Sequence, residues 1–345
     1  MAERSEERGH MQKKSSYTVA IVGATGAVGI EFLKVLEARK FPVGDLKLLA
    51  SKRSIGKMLD FKGKTYPVTE LTADSFAGVD IALFSAGGSR SKEFAQVAVK
   101  AGAVVIDNSS AFRMDPNVPL VVPEINPQDA LLHKGIIANP NCTTIIMGVA
   151  VYPIHKINPI KRAVVATYQA VSGAGAMALE ELRLQQEDLV AGREPKAKVL
   201  KHVVVNNVFS HNSDVLENGY NEEELKMVKE THKIFHDESI DISPTCIRVP
   251  IYRAHSEAIH LELTNPLDLA AVRKVLSTAP GVKIVDDPVG NHFPMPLEAA
   301  GQDAVLVGRL RQDLSLKNGL NLFVCGDQLL KGAALNAVQI AELLI

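Results

Sequence analysis

Residues 17–29, YTVAIVGATGAVG, decide the fold. Tyr17–Val22 is a short apolar run of strand-forming residues, followed by glycines at 23, 26 and 29. Ile30–Arg39 then repeats apolar residues at helical spacing. Strand, glycine-rich turn and helix, in that order, form the context in which a glycine fingerprint binds a dinucleotide. Glycine permits the tight turn, and main-chain N–H groups at the helix start reach a pyrophosphate. The spacing is GxxGxxG rather than GxGxxG, so the plainer reading, a glycine-rich turn that binds nothing, stands beside it.

Working outward, Leu46–Ala50, Ile81–Phe84, Val104–Asp107 and Gly135–Ala138 read as further strands, with a helix over Lys92–Ala101. Strands separated by helices imply parallel βαβ units, hence an α/β, doubly wound, Rossmann-like sheet over residues 17–142. Beyond about residue 143 the pattern changes. Val164–Ala170, Ile242–Val249, Ser256–Leu263, Val282–Val285 and Val305–Arg311 read as strands with few crossover helices. Helices are expected over Leu179–Val190 and after Asn221, where Glu224 stands three residues on, as in a capping box. Ile259, Leu261 and Leu263 alternate with Ala258, His260 and Glu262, as in a sheet with one covered face. Residues 143–324 are therefore expected to form an α+β domain on a mainly antiparallel sheet. Residues 325–345, helical over Lys331–Leu344, are expected to return to the first domain. Residues 1–16, MAERSEERGHMQKKSS, lack the apolar core of a signal peptide and read as a disordered tail.

Composition narrows the function. A formal net charge of −1 gives no general reason to expect nucleic acid or a membrane surface as partner. The uncharged stretch from Gly135 to Ile154 is interrupted by Asn139, Pro140, Asn141 and Pro153, which argues against a membrane span. Cys142, Cys246 and Cys325 are too few, and too far apart, for a disulfide framework. His255 and His260 near Cys246 lack any tight metal-ligand spacing, and no metal is expected.

Two stretches carry specific chemistry. NAD readers place an acidic residue about twenty positions past the glycine loop. Here the chain reads LLASKRS, with Ser51, Lys52, Arg53 and Ser54 and no carboxylate. That end suits the 2′-phosphate of NADP, which arginine can engage bidentately; a solvated Lys-Arg pair is the bland alternative. In NPNCTTII, residues 139–146, a strand ends and a helix can start at Thr143. Cys142 would then sit at a helix N-terminus, which favours the thiolate. A lone cysteine is more often a buried apolar residue, and Cys246 and Cys325 read that way.

GATGAVG, DNSSAFR, NPNCTT, YQAVSGAG, NGYNEEELK, CIRVPIYRAHSEA and CGDQLLKGAALNAVQIAE occur in order from about Thr18 to the C-terminus. Each motif is modest, but as an ordered set they resemble the aspartate-semialdehyde dehydrogenase family, which is similar in fold to the glyceraldehyde-3-phosphate dehydrogenases. The resemblance implies that Cys142 is the nucleophile carrying an acyl thioester and His255 the general acid/base. Gln169 would orient the substrate. Arg248 would bind the substrate α-carboxylate and Glu223 its ammonium, with Glu223 chosen from three adjacent glutamates by the Glu-x-x-Lys spacing to Lys226. Arg113, Lys226 and Asn141 would bind phosphate. The expected NADP set comprises Gly23, Thr25, Gly26, Ala27, Val28 and Gly29 of the loop, Ser51, Arg53 and Ser54, and Ser85, Ala86 and Gly87 of SAGGS. Ser172, Gly173 and Gln328 would lie against the nicotinamide half.

The implied reaction is NADPH-dependent reduction of 4-phospho-L-aspartate to L-aspartate 4-semialdehyde and inorganic phosphate, toward lysine, threonine, methionine and isoleucine. The residue types fit that chemistry: a thiolate attacks the acyl phosphate, the hemithioacetal oxyanion needs donors and a proton, and a small anionic substrate needs arginine and lysine. Taken singly, Arg113 and Lys226 read as surface charges, Arg248 as a structural ion pair and His255 as one of ten histidines. An N-acetyl-gamma-glutamyl-phosphate reductase-like enzyme, or a non-enzymatic NADP-binding regulator, are the alternatives. The resemblance also implies a homodimer through the second domain, or a tetramer of such dimers. The expected compartment is the cytoplasm, or a plastid if the host is a photosynthetic eukaryote.

Overall fold

The computed structural model describes residues 9–266 and 268–345. The chain divides into two compact units. One runs up to Asn141 and resumes at Ala333–Ile345; the other is Cys142–Gly332.

The first unit contains β1 (Tyr17–Val22), α1 (Ala27–Ala38), β2 (Val43–Ala50), β3 (Met58–Phe61), β4 (Lys64–Glu70), β5 (Ile81–Phe84), α2 (Gly88–Lys100), β6 (Val104–Asp107) and β7 (Ile136–Ala138). Its sheet runs β3-β4-β2-β1-β5-β6-β7. Every pairing is parallel except β3 with β4. Val19–Val22 and Ile81–Phe84 are buried without interruption, as in a parallel sheet covered on both faces. The β3–β4 hairpin went unread in the sequence, because its strands are mostly exposed and mix polar with apolar residues.

The second unit contains α3 (Cys142–Ile157), β8 (Ile160–Gln169), α4 (Ala176–Val190), β9 (Phe209–Ser210), α5 (Glu222–Phe235), β10 (Asp241–Arg248), β11 (His255–Leu263), α6 (Leu269–Thr278), β12 (Val282–Ile284), α7 (Pro296–Ala299), β13 (Val305–Gln312) and β14 (Gly319–Gly326). Its sheet runs β12-β13-β14-β11-β8-β10-β9. It is largely antiparallel, with parallel pairs at β8–β10 and β12–β13. The alternation read in β11 holds: Ile259, Leu261 and Leu263 are buried, while Ala258, His260 and Glu262 are half-buried.

The C-terminal segment departs from expectation at its start. Gly319–Gly326 is a strand paired with both β11 and β13, so residues 325–332 stay with the second unit. The chain rejoins the first unit at Ala333, after a π-turn over Leu330–Ala334, and continues as α8 (Leu335–Glu342). There Asn336 Nδ2 donates to Val121 O at 3.0 Å, and Arg39 pairs with Glu342 at 2.6 Å. The expected disordered tail is also corrected in part. Residues 1–8 lie outside the described residues. Further on, Met11 N donates to Leu344 O at 2.8 Å and Lys14 Nζ meets Asp80 at 2.6 Å, so two main-chain and side-chain ties hold this stretch to the unit. Among the described residues no helix is long and apolar enough to cross a membrane.

Candidate active site

In the first unit, the turn after β1 closes on itself because its glycines have no side chains. Gly23 has φ +87°, and a Cβ there would lie 2.3 Å from Ser85 O. A Cβ on Gly29 would lie 2.3 Å from Gly23 O. The N-cap of α1 is Gly26, and no side chain caps it. The first N–H groups of the helix therefore lack a side-chain acceptor, the arrangement that suits a phosphate. Gly23, Thr25, Gly26, Ser51, Arg53, Ser85 and Ala86 line a cleft of about 680 Å³. Ser54 joins its rim, with its hydroxyl 3.1 Å from that of Thr25. Two acidic residues reach this cleft unannounced: Glu93, paired with Arg90 at 2.5 Å, and Glu70, which at the end of β4 stands 3.7 Å from Lys52. Glu70 pairs beside Ala50 across the sheet, a neighbour that linear spacing past the loop does not reveal. Arg113 is also in this unit and is buried; its Nε donates to Asn139 O at 2.9 Å and its Nη2 to Asn108 O at 2.7 Å. Asn141 is likewise buried.

The second unit gathers the remaining polar residues around Arg248, which ends β10 with 1% exposure. Its register partner on β8 is Gln169. The Arg248 Nη1 donates to Ala170 O at 2.5 Å and to Gln169 O at 3.4 Å, and Nη2 lies 3.0 Å from His211 Nε2. Arg248 Nε is buried with no hydrogen-bond partner. Gln169 Oε1 accepts from Thr167 at 3.1 Å, and its amide nitrogen donates to Glu223 Oε1 at 3.2 Å. Lys226 Nζ meets the other Glu223 oxygen at 3.1 Å. The three adjacent glutamates thus separate: Glu222 is exposed, Glu223 faces Gln169, and Glu224 caps its own helix.

His255 opens β11 and is fully buried. Its Nδ1 accepts from Ala170 N at 3.0 Å, which leaves the ring hydrogen on Nε2. That Nε2 is buried and has no partner. Burial first, and the Arg248 charge second, hold the pKa of His255 well below the usual histidine value, so the ring is neutral at neutral pH. Gly173 is exposed beside it; a Cβ there would stand 3.2 Å from His255 Nε2 and 3.6 Å from Arg248 Nη1. The residue before His255, Ala254, has φ +73°, a left-handed conformation that costs a non-glycine residue about 1 kcal/mol or more. Gln328 holds it, accepting from Ala254 N at 2.8 Å and donating to Ser172.

Cys142 is half-buried at the start of α3, as the polar turn before it predicts. Gly332 passes so close that a Cβ would lie 2.8 Å from Cys142 Cβ. A thiolate on Cys142 would favour the charged form of Arg248. The other two cysteines are core residues: burial pushes the Cys325 thiol up to about 12 and raises that of Cys246 further. Sequence reasoning missed His211. It follows the two-residue β9 in a loop, where neither spacing nor periodicity distinguishes one histidine from another.

Two family profiles cover most of the chain. "Semialdehyde dehydrogenase, NAD binding domain" matches residues 18–133, and "Semialdehyde dehydrogenase, dimerisation domain" matches residues 151–331. The aspartate-semialdehyde dehydrogenase of Synechocystis sp. is 59% identical over 331 residues, 96% of this chain and 98% of that protein. This chain belongs to the aspartate-semialdehyde dehydrogenase family. The relative in Aquifex aeolicus is 56% identical over 333 residues, 95% of this chain and 98% of that one. Among solved structures, aspartate semialdehyde dehydrogenase II of Vibrio cholerae, complexed with ASA, superposes with a TM-score of 0.92. It is 46% identical, over 96% of this chain and 98% of that chain. The whole-chain match carries the family's two-unit architecture across both sheets, beyond the short motifs by which the sequence resembles it.

Proposed function

We propose that this chain reduces 4-phospho-L-aspartate to L-aspartate 4-semialdehyde and inorganic phosphate, reversibly, through a thioester on Cys142. One observation carries the reading: two buried donors, Arg248 Nε and His255 Nε2, lack any partner beside the peptide of Ala170. Orphaned buried donors are costly, about 1–3 kcal/mol each, and are kept where a ligand completes them.

The chemistry follows from the side chains. The Cys142 thiolate attacks the acyl carbon; the C–O bond to phosphate breaks, and inorganic phosphate leaves with that electron pair. NADPH, when bound, supplies the hydride. Once the thioester carbon is reduced, its oxygen carries negative charge, and the Nε2–H of the neutral His255 ring donates the hydrogen bond that stabilises it. As that oxyanion re-forms its carbonyl, the carbon–sulfur bond breaks with its electron pair going to sulfur, giving the aldehyde and the Cys142 thiolate. Arg248 holds the α-carboxylate, Glu223 the ammonium, and Gln169 orients the substrate. Lys226 serves the phosphate, and Arg113 and Asn141 keep the phosphate role that the family resemblance implies. Ser172, Gly173 and Gln328 form the polar wall proposed for the nicotinamide.

The glycine turn and the open start of α1 suit a dinucleotide, and the Ser51–Ser54 end suits the extra phosphate of NADP over NAD. The dimerisation-domain profile supports a homodimer through the second unit. The deciding assay is NADP reduction with L-aspartate 4-semialdehyde, run beside N-acetyl-glutamate semialdehyde and glyceraldehyde 3-phosphate. Activity with the first alone, lost when phosphate is omitted, is the expected result. Activity with N-acetyl-glutamate semialdehyde instead moves the assignment to that reductase; silence with all three, with NADP still bound, leaves a regulator.

A further inference from the structure

His211 has no role in the chemistry above, yet it touches the residue on which substrate recognition rests. A guanidinium has five N–H groups in a rigid plane. In Arg248 the two on Nη1 face the carbonyl oxygens of Gln169 and Ala170, and one on Nη2 faces His211 Nε2 at 3.0 Å. Two remain, on Nε and on Nη2. Those nitrogens share one edge of the group, which a carboxylate meets with two parallel hydrogen bonds. Nε is the buried nitrogen that has no partner.

His211 can hold the Nη2 hydrogen only if its Nε2 carries a lone pair. Its Nδ1 lies 3.1 Å from the Ser213 hydroxyl and 3.2 Å from the Ser213 N–H; because a guanidinium can only donate, Nε2 is the acceptor and the ring hydrogen sits on Nδ1, where the hydroxyl takes it. Burial, with the charges of Arg248 on β10, Lys226 on α5 and Lys201 nearby, brings its pKa down to about 4 against the opposing pull of Glu223. The ring is therefore neutral at neutral pH, and a neutral acceptor binds one guanidinium hydrogen without competing for the charge. A carboxylate in the same place would form a closed ion pair and cancel the anchor.

We propose that His211 is a positioning residue: it fixes the rotation of the Arg248 guanidinium so that its Nε–Nη2 edge is presented to the substrate carboxylate. This rests on the reading of Arg248 as carboxylate anchor. A second consequence separates positioning from mere packing. Glutamine reaches about as far as a histidine Nε2 and offers a neutral acceptor, whereas alanine and leucine offer none.

The test is steady-state kinetics of the full-length protein carrying His211→Ala, His211→Leu, His211→Gln or Arg248→Leu, with the semialdehyde, phosphate and NADP varied in turn. His211→Ala and His211→Leu are expected to raise the KM for the semialdehyde about tenfold or more, with a far smaller fall in kcat and in the affinity for NADP. His211→Gln recovers most of the loss. A semialdehyde KM unchanged in both His211→Ala and His211→Leu, while Arg248→Leu raises it, overturns the inference alone. An unchanged KM in Arg248→Leu overturns the anchor reading itself. Equal losses in every parameter, with no recovery by glutamine, identify a packing role and also overturn the proposal.

Discussion

At the scale of single residues, the two histidines of the site are kept in their neutral forms by burial. His211 shows what this does to stability. Its folded pKa, about 4, lies below the ordinary 6.5. Between those values the unfolded chain takes up a proton that the folded chain refuses, so acidification favours unfolding. The contribution is intact above pH 6.5 and is lost as pH falls toward 4, about 3 kcal/mol in all. His255 acts in the same direction. Glu257, fully buried with neither oxygen partnered, acts oppositely: its carboxyl is held well above the usual range, so rising pH above 4.5 weakens the fold. Comparing wild type with His211→Gln cancels both of these. Denaturant unfolding at pH 7, 6, 5 and 4 should show wild type losing more stability than the variant on acidification. Parallel curves for the two proteins would mean that His211 takes up its proton as readily in the folded chain as in the unfolded one.

At the scale of elements, α5 shows how a local signal sets a functional side chain. Asn221 Oδ1 accepts from Glu224 N at 2.9 Å, and Glu224 Oε2 accepts from Asn221 N at 2.9 Å. The other Glu224 oxygen accepts from Cys246 N on β10 at 3.0 Å. The cap therefore fixes the helix start, and so the direction in which Glu223 leaves it. Asn221→Ala should cost about 1 kcal/mol in thermal or urea unfolding. Glu224→Ala should cost more, because it also strands the Cys246 N–H; equal costs would show that the tie to β10 contributes nothing. This box was legible in sequence because capping is local. So were β1, β5 and β6, whose apolar runs fall between glycine and polar turns. The β3–β4 hairpin and β14 were not. The first is too exposed to show a core pattern, and in β14 a buried strand lacks the alternation that would separate it from the helix beyond. His211 lay outside sequence reading for a different reason: its partner, Arg248, is 37 residues away.

At the scale of the whole molecule, the first unit carries the match to the NAD binding domain profile and the second the match to the dimerisation domain profile. Lys52 is partnered by Glu70 in the cleft, while Arg53 has no ion pair among the described residues. Arg53→Asp should raise the KM for NADP at least about tenfold and shift the NADP-to-NAD preference toward NAD. An unchanged ratio would show that the 2′-phosphate is held elsewhere. The two-unit plan was readable from the switch between helix-separated strands and strands with few crossovers. The return point of the C-terminal segment was not, since strand pairing across β11 and β13 keeps Gly326 and its neighbours with the second unit.

The peptide of Ala170 sends its N–H to His255 and its carbonyl to Arg248. His255 and Arg248 are therefore hydrogen-bonded to the two main-chain polar groups of one residue, a spacing that no side-chain replacement at Ala170 removes. It works as a fixed gauge. On the roles proposed above, a substrate whose carboxylate engages Arg248 brings its carbonyl carbon to His255 only if its carbon count is right, and one extra methylene overshoots. Retuning this enzyme to a longer chain would mean shifting β10 or β11 along β8, a change of register that point substitution does not deliver.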